Sequence, residues 1–386
     1  MGFLGEKSVN FKWKISFLIT LILVFLLSIW NYKNRMYDWD MPGYMGCFYT
    51  MIMPDNPEKV HHLIYEEIKK EAPDYEYKDI IGVKKFDRTR QYFTNNTQSF
   101  TEQLPYFQIK VGYNLALLSL YKLGFTGPMS VTMLSIISYF ISGVLLFFVL
   151  KNIFPDKPFI SGFLSIIICL LPPVAFISRI STPDMFVFQF MLVFMLGFLR
   201  KWSDWNMFLI LFLITFVRPD YITFTLTYLF TLLLYDFYKE KKIKLSYCLQ
   251  TVLLLILYVI IMKYYNYPGW KALFYDTFIY RRPFISAEVA DFTVGKYFEI
   301  LFSKLLYFKK VTLASVSMLF VIYYLSKDLY IRMISAFIFV NIYIKFVFFP
   351  QSAELRFYIS FIILLLLMML YAVSKKYKSF QLGKIA

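Results

Sequence analysis

The sequence predicts an all-α polytopic membrane protein with about ten transmembrane helices, on three observations. Of its 386 residues, 59% are hydrophobic and only 17% charged, whereas soluble domains run about 45–50% apolar and about 25% charged. Runs of roughly 18 or more apolar residues recur, each long enough to cross a hydrocarbon core. The short loops between alternate runs are net basic, as the positive-inside bias requires. This composition excludes a soluble enzyme, a disordered tail and a secreted disulfide scaffold. Cys47, Cys169 and Cys248 are too few and too scattered for a disulfide framework or a zinc cluster.

The whole chain, 1–386, reads as one integral membrane domain. Its first span, 15–30, follows Lys7, Lys12 and Lys14 and has no small-residue cleavage site after it, so it reads as an uncleaved anchor with a cytoplasmic N-terminus. A polar stretch then runs over 32–111, rich in Pro, Asn, Asp, Glu and Lys, and reads as a large extracytoplasmic loop of short helices. Nine further spans are expected at 129–150, 159–177, 184–200, 206–217, 221–237, 246–264, 311–326, 331–349 and 356–373. A second extracytoplasmic loop is expected at 265–298. The apolar pieces 111–125 and 297–310 have the length of re-entrant or interfacial segments.

Alternation from an inside N-terminus places five basic segments on the inner side. They are Lys151/Lys157, Arg200/Lys201, the run Lys239 to Lys244, Lys327/Arg332, and the tail Lys375/Lys376/Lys378/Lys384. The C-terminus is then also cytoplasmic. A full crossing by 111–125 would destroy this agreement for several consecutive loops. The net charge of +16 therefore belongs to bilayer orientation. Twelve of the 25 acids fall between Asp38 and Glu102, and no basic face interleaved with aromatics marks a nucleic-acid partner.

The opposite side collects acids, arginines and prolines in turns. They occur around Asp38, Asp40 and Tyr44 with nearby Arg35, at Arg179 to Asp184, and at Arg218-Pro-Asp220. They recur at Tyr280-Arg281-Arg282 to Glu288, and at Glu354-Leu-Arg356. Arginine there runs against the positive-inside bias, and ionisable residues at membrane depth are a functional hypothesis by default. Arginine also suits bidentate binding of phosphate or carboxylate. The plainer alternative is ion pairs closing helix ends, with Asp184 and Asp220 as caps. The run before Arg218 is only about 12 residues, roughly 18 Å, so Arg218 and Asp220 are expected in a recess.

These features resemble the GT-C superfamily of polytopic glycosyltransferases, which use polyprenyl-phosphate-linked sugars. The matching residues are the acids and following aromatic of Asp38-Trp-Asp40-Met-Pro-Gly-Tyr44 after the first span, and Glu354-Leu-Arg356-Phe-Tyr before the last. Ser181-Thr-Pro-Asp184 and Val217-Arg-Pro-Asp220 are similar in placement. No soluble domain is expected after the last span, which would depart from the oligosaccharyltransferase-like members. The resemblance implies a GT-C-like fold and transfer of a sugar from a lipid-phosphate donor to a hydroxyl of a glycan, lipid or protein acceptor on the extracytoplasmic face. It also implies that Asp40, with Asp38 as fallback, is the general base, in an inverting displacement. Tyr44, Arg179, Asp184, Arg218, Asp220, Arg281, Arg282, Glu288, Glu354 and Arg356 become candidate substrate-binding residues. No cofactor is signalled; a divalent metal stays open, although His61 and His62 lie in a polar stretch, read as an exposed helix, and not in a recognisable acid–His motif.

Two other classes are compatible with the same residues: a flippase or transporter for a lipid-linked glycan precursor, and a glycan polymerase or ligase. An acyltransferase fits less well, with only two histidines. No internal repeat of the kind common in transporters is evident. The abundance of Lys, Ile, Phe, Asn and Tyr fits a low-GC bacterium, hence the inner membrane. Lys263, Lys304 and Lys345 read as side chains snorkelling to the interface, and Asn95-Asn-Thr97 matches the N-glycosylation tripeptide.

Overall fold

A computed structural model describes residues 2–352 and 354–377, with side chains from Asn10 onward; Lys378 and Lys384 of the basic tail lie outside the described residues. The described residues are helical, with no strand among them. The long N-terminal helix α1 (Gly2–Lys33) precedes six short helices: α2 (Met41–Ile52), α3 (Pro57–Glu71), α4 (Asp74–Ile80), α5 (Arg88–Asn95), α6 (Thr97–Gln103) and α7 (Pro105–Gln108). Helix α8 (Val111–Lys122) leads into the central α9 (Gly127–Ile153). Then come α10 (Pro158–Leu170), α11 (Pro172–Ile177), α12 (Asp184–Leu199), α13 (Asp204–Val217), α14 (Ile222–Glu240) and α15 (Leu245–Tyr264). The chain closes with α16 (Trp270–Phe278), α17 (Val294–Leu305), α18 (Lys309–Leu325), α19 (Leu329–Phe348) and α20 (Ile359–Lys376).

Sequence explains the punctuation. Prolines 42, 57, 105, 128, 158 and 172 fall in the first turns of α2, α3, α7, α9, α10 and α11, where the missing N–H has no helical acceptor to lose. Asp87, Asn96 and Ser203 cap α5, α6 and α13 through side-chain oxygens. Helix α9 packs on α1, α10, α12 and α8, while α20 packs on α18, α19 and α12. Close approach of α1 to α9 depends on Gly143, where a Cβ would collide with Val24. Likewise a Cβ at Gly43 would lie 2.7 Å from the Phe107 ring, so α2 can rest directly on α7.

Among the described residues five helices, α1, α9, α15, α19 and α20, are long and apolar enough to cross a bilayer, and α17 with α18 reaches that length only as a pair bent by 69°. Only 22% of the apolar window of α15 and 28% of that of α1 is buried within the protein. Such faces need lipid, which makes this a helical integral membrane protein. The expected span 159–177 is instead broken at Leu171, because Pro172-Pro173 cannot continue α10. Helices α12 and α13 have 16 and 14 residues, about 24 and 21 Å at 1.5 Å per residue. The piece 111–125 becomes α8, which buries Tyr113, Asn114 and Leu117.

Candidate active site

The turn between α1 and α2 carries the two acids nearest the candidate chemistry. Asp38 is held on both oxygens by backbone: Asp40 N donates to Oδ1 at 2.9 Å and Ser181 N to Oδ2 at 2.7 Å. It thereby ties the end of α1 to the turn before α12. Burial first, and then the charge of Asp40, raise its carboxyl to about 7. Asp40 is the first residue before α2 and its side chain makes no capping bond. Its carboxylate has one hydrogen-bond partner among the described residues, the Arg356 guanidinium at 3.2 Å. Arg356 sits in the turn before α20 and also pairs with Glu354 at 2.5 Å. Asp40, Glu354 and Arg356 therefore come together from opposite ends of the sequence.

Tyr44 lies one turn beyond Asp40, on the same face of α2. Its buried ring meets Phe107 edge-on at 5.1 Å and Tyr113 at 4.9 Å. The Tyr113 hydroxyl is buried with no hydrogen-bond partner among the described residues.

A second set of charges closes on itself. Arg218 pairs with buried Asp184 and, at 3.1 Å, with Asp220; Lys345, from inside α19, completes the set on the other oxygen of Asp220. Thr182 donates to Asp184 at 2.8 Å. Two acids and two bases thus neutralise each other. Against the opposing effect of burial, Arg218 and Lys345 hold the Asp220 carboxyl below the ordinary carboxylate range. Asp184 and Asp220 are not helix caps: Pro183 holds the capping position of α12 and Arg218 that of the turn 219–221. Nor does Lys345 snorkel; it is buried and paired inside the protein.

Two cations in the same region form no ion pair among the described residues. Lys110, just before α8, donates to the Tyr106 carbonyl at 2.8 Å, and its ammonium stands 5.2 Å from the Tyr44 ring centre. Burial first, and then Arg218, lower its pKa to about 8. Arg281 lies beside the rings of Tyr106, Phe93 and Trp39, at 5.5, 5.8 and 6.0 Å. Its Nε is buried without a hydrogen-bond partner among the described residues. Among the described residues neither Lys110 nor Arg281 forms an ion pair; Lys110 feels the charge of Asp220 and then of Asp40, and Arg281 that of Asp276 and then of Asp40.

Arg281 reaches this position on an extended strap, 279–293, laid across α5 and α6. Thr89 and Ser99 donate to the carbonyls of Arg281 and Pro283 at 3.0 and 2.6 Å, and Glu102 accepts from both N and Oγ of Ser286. The neighbouring Arg282 is not presented to the site. Asp276 grips it on two nitrogens at 2.7 and 2.8 Å, and its third reaches the Glu288 carbonyl. Glu288 contributes that backbone oxygen to the strap. Arg179 is likewise directed elsewhere, hydrogen-bonded to Asn31 at 2.8 Å and stacked on Trp30.

Of the sequence candidates, then, Asp38, Asp40, Tyr44, Asp184, Arg218, Asp220, Arg281, Glu354 and Arg356 belong to one charged region, and Arg179, Arg282 and Glu288 do not. Sequence reasoning missed Lys110, Tyr113 and the role of Lys345. For Lys345 a signal existed, since a lysine within an apolar run is a functional hypothesis; Lys110 carries none, being one of many lysines in a polar loop. His61 is bonded at both ring nitrogens, to Phe93 and Thr97, and is buried, not exposed. No group of three or more His, Cys, Asp or Glu gathers as metal ligands among the described residues. Comparison with protein-family models, curated proteins and solved structures found no match to the chain.

Proposed function

We propose that the chain is a GT-C-type membrane glycosyltransferase that moves a sugar from a polyprenyl-phosphate-linked donor to an acceptor hydroxyl. The observation that carries this reading is a lightly held carboxylate, Asp40, in the same region as two cations that form no ion pair among the described residues, Lys110 and Arg281. Asp40 takes the proton as the acceptor oxygen attacks the anomeric carbon. The new C–O bond forms as the bond to phosphate breaks, and the electron pair leaves on the polyprenyl phosphate. Lys110 and Arg281 stabilise that growing charge where water is sparse. Arg356 orients Asp40, and Asp38 fastens the turn that presents it. One direct displacement inverts the anomeric configuration.

In this reading the short helices α10 to α13 and the 19-residue α14 complete about ten crossings. The charged region lies where α12 begins, α13 ends and α14 begins; Arg200, Lys201 and Lys239 lie at their other ends. Positive-inside orientation then makes the charged end extracytoplasmic and the termini cytoplasmic, in a bacterial inner membrane. A divalent metal is no part of the proposed steps.

The test is transfer by purified protein from radiolabelled monosaccharyl-polyprenyl phosphate, comparing wild type with Asp40→Asn. The proposal requires turnover that falls by about 10²–10⁴ in the variant with donor binding kept. Wild-type protein that binds the donor yet transfers nothing sinks it. Activity confined to a lipid-linked repeat unit would assign a polymerase or ligase, and lipid movement without transfer a flippase.

A further inference from the structure

Helix α17 is amphipathic in a way the bundle does not use. None of its residues is buried. Val294, Phe298, Leu301, Phe302 and Leu305 share one face at helical spacing, while Lys296, Glu299 and Ser303 lie opposite. Val294, Phe298 and Phe302 are 64%, 47% and 61% exposed, and the two phenylalanine rings stack on each other at 6.1 Å. Twelve residues reach about 18 Å, too short for a hydrocarbon core of about 30 Å.

The direction of the helix says what covers this face. After Leu305 the chain bends by 69° into α18, which packs on α19 and α20. Helix α18 turns Leu313, Val316, Phe320 and Tyr324 outward, 71%, 47%, 71% and 79% exposed, as a membrane-facing stripe. Exposed Leu306 and Tyr307 continue the apolar surface around the bend. Lys304, Lys309 and Lys310 sit at the same corner, where lipid phosphates would meet them. Tyr297 binds the Val347 carbonyl at 3.0 Å and packs against Trp270, whose indole donates to Phe348 at 2.7 Å. These aromatics mark the end of α19 that lies nearest Lys345 and Asp220.

We propose that α17 lies in the bilayer interface at the charged end of the bundle. Its Val294–Phe298–Phe302–Leu305 face enters the acyl-chain boundary, and its lysines meet the headgroups of an anionic lipid surface. Helix α17 thereby anchors the strap that precedes it to the membrane, whatever reaction the site performs.

The test uses the full chain with Cys248→Ser, since Cys248 is the exposed native thiol and Cys47 and Cys169 are buried. Single cysteines at 298, 302, 299 and 303 are labelled with an environment-sensitive fluorophore in phosphatidylcholine–phosphatidylglycerol vesicles, with and without brominated acyl chains. Labels at 298 and 302 should blue-shift and lose intensity to bromolipid, while those at 299 and 303 respond to aqueous iodide instead. Iodide reaching all four positions alike overturns the proposal. So does protection of 298 and 302 without bromolipid quenching, which would mean that protein, such as a second copy, covers the face. All four positions are unburied, so the labels test placement and not folding, and no sugar donor enters the measurement.

Discussion

Two neighbouring groups of charges use the same residue types to opposite ends. In the set Asp184, Arg218, Asp220 and Lys345, every charge has an opposite partner. Around Asp40, by contrast, the acid has one arginine, and Lys110 and Arg281 form no ion pair among the described residues. The first arrangement can only hold α12, α13 and α19 in register. The second leaves two partly buried cations outside any ion pair among the described residues, which costs desolvation energy and, in the proposed reading, is offset by the donor phosphate. The difference separates scaffold from candidate chemistry better than residue identity does.

The comparison breaks most sharply with Asp40→Asn, which should stop transfer and leave thermal stability near wild type. The converse is Arg218→Met. Removing one member of a buried ion pair costs about 3–5 kcal/mol, so this variant should lose several degrees or more of melting temperature in detergent, with whatever activity survives lost in proportion to folded protein. If Arg218→Met instead melts like wild type and fails only in donor binding, the two sets have been assigned the wrong way round.

Smaller effects sharpen the other half. Arg281→Gln and Lys110→Gln should each weaken donor binding by about one to two orders of magnitude, the scale of a hydrogen bond to a charged group at about 1.5–3 kcal/mol. Neither removes an ion pair, so neither should lower the melting temperature. Equilibrium binding of donor phosphate beside a melting curve decides this. Arg282→Gln provides the contrast, because it breaks the grip of Asp276 and loosens the strap.

Two pH effects are smaller still. Lys110, lowered to about 8, is cationic below that pH and loses its charge above it. Donor binding should therefore decline as pH rises through about 8, and Lys110→Arg should flatten the decline. Asp38 is raised to about 7, so the folded protein holds a proton there that the unfolded chain has already released. That contribution to stability is complete below about pH 4 and fades as pH rises through about 7. Melting temperature measured from pH 5 to 8 should fall, and fall less in Asp40→Asn, which removes the repelling charge.

Much of the fold was legible because a bilayer imposes a coarse rule on local sequence. The runs at 15–30, 129–150 and 246–264 lie within α1, α9 and α15, and 331–349 passes the end of α19 by one residue, since apolar length largely decides whether a segment prefers lipid. The break at Leu171 was written in Pro172-Pro173 and was outweighed by the hydropathy on both sides of it. The acids at 38, 40, 184 and 220 were legible as a set, because carboxylates and prolines in turns beside apolar runs stand out. Which of two adjacent arginines faces the site was not. Asp276, six residues before Arg282, hydrogen-bonds two nitrogens of the second arginine and leaves the first without an ion pair among the described residues.

The amino-acid sequence by itself determined a bundle of apolar helices with its ionisable residues concentrated in the turns, because burial preference is a property of each segment. The tertiary structure alone decided which charges cancel. Arg218 meets Asp184 across 34 residues, Lys345 meets Asp220 across 125, and Arg356 meets Asp40 across 316. Electrostatic pairing acts over a few ångströms in space and carries no trace in local sequence, so only the packed helices separate the neutral scaffold from the unmet charge beside Asp40.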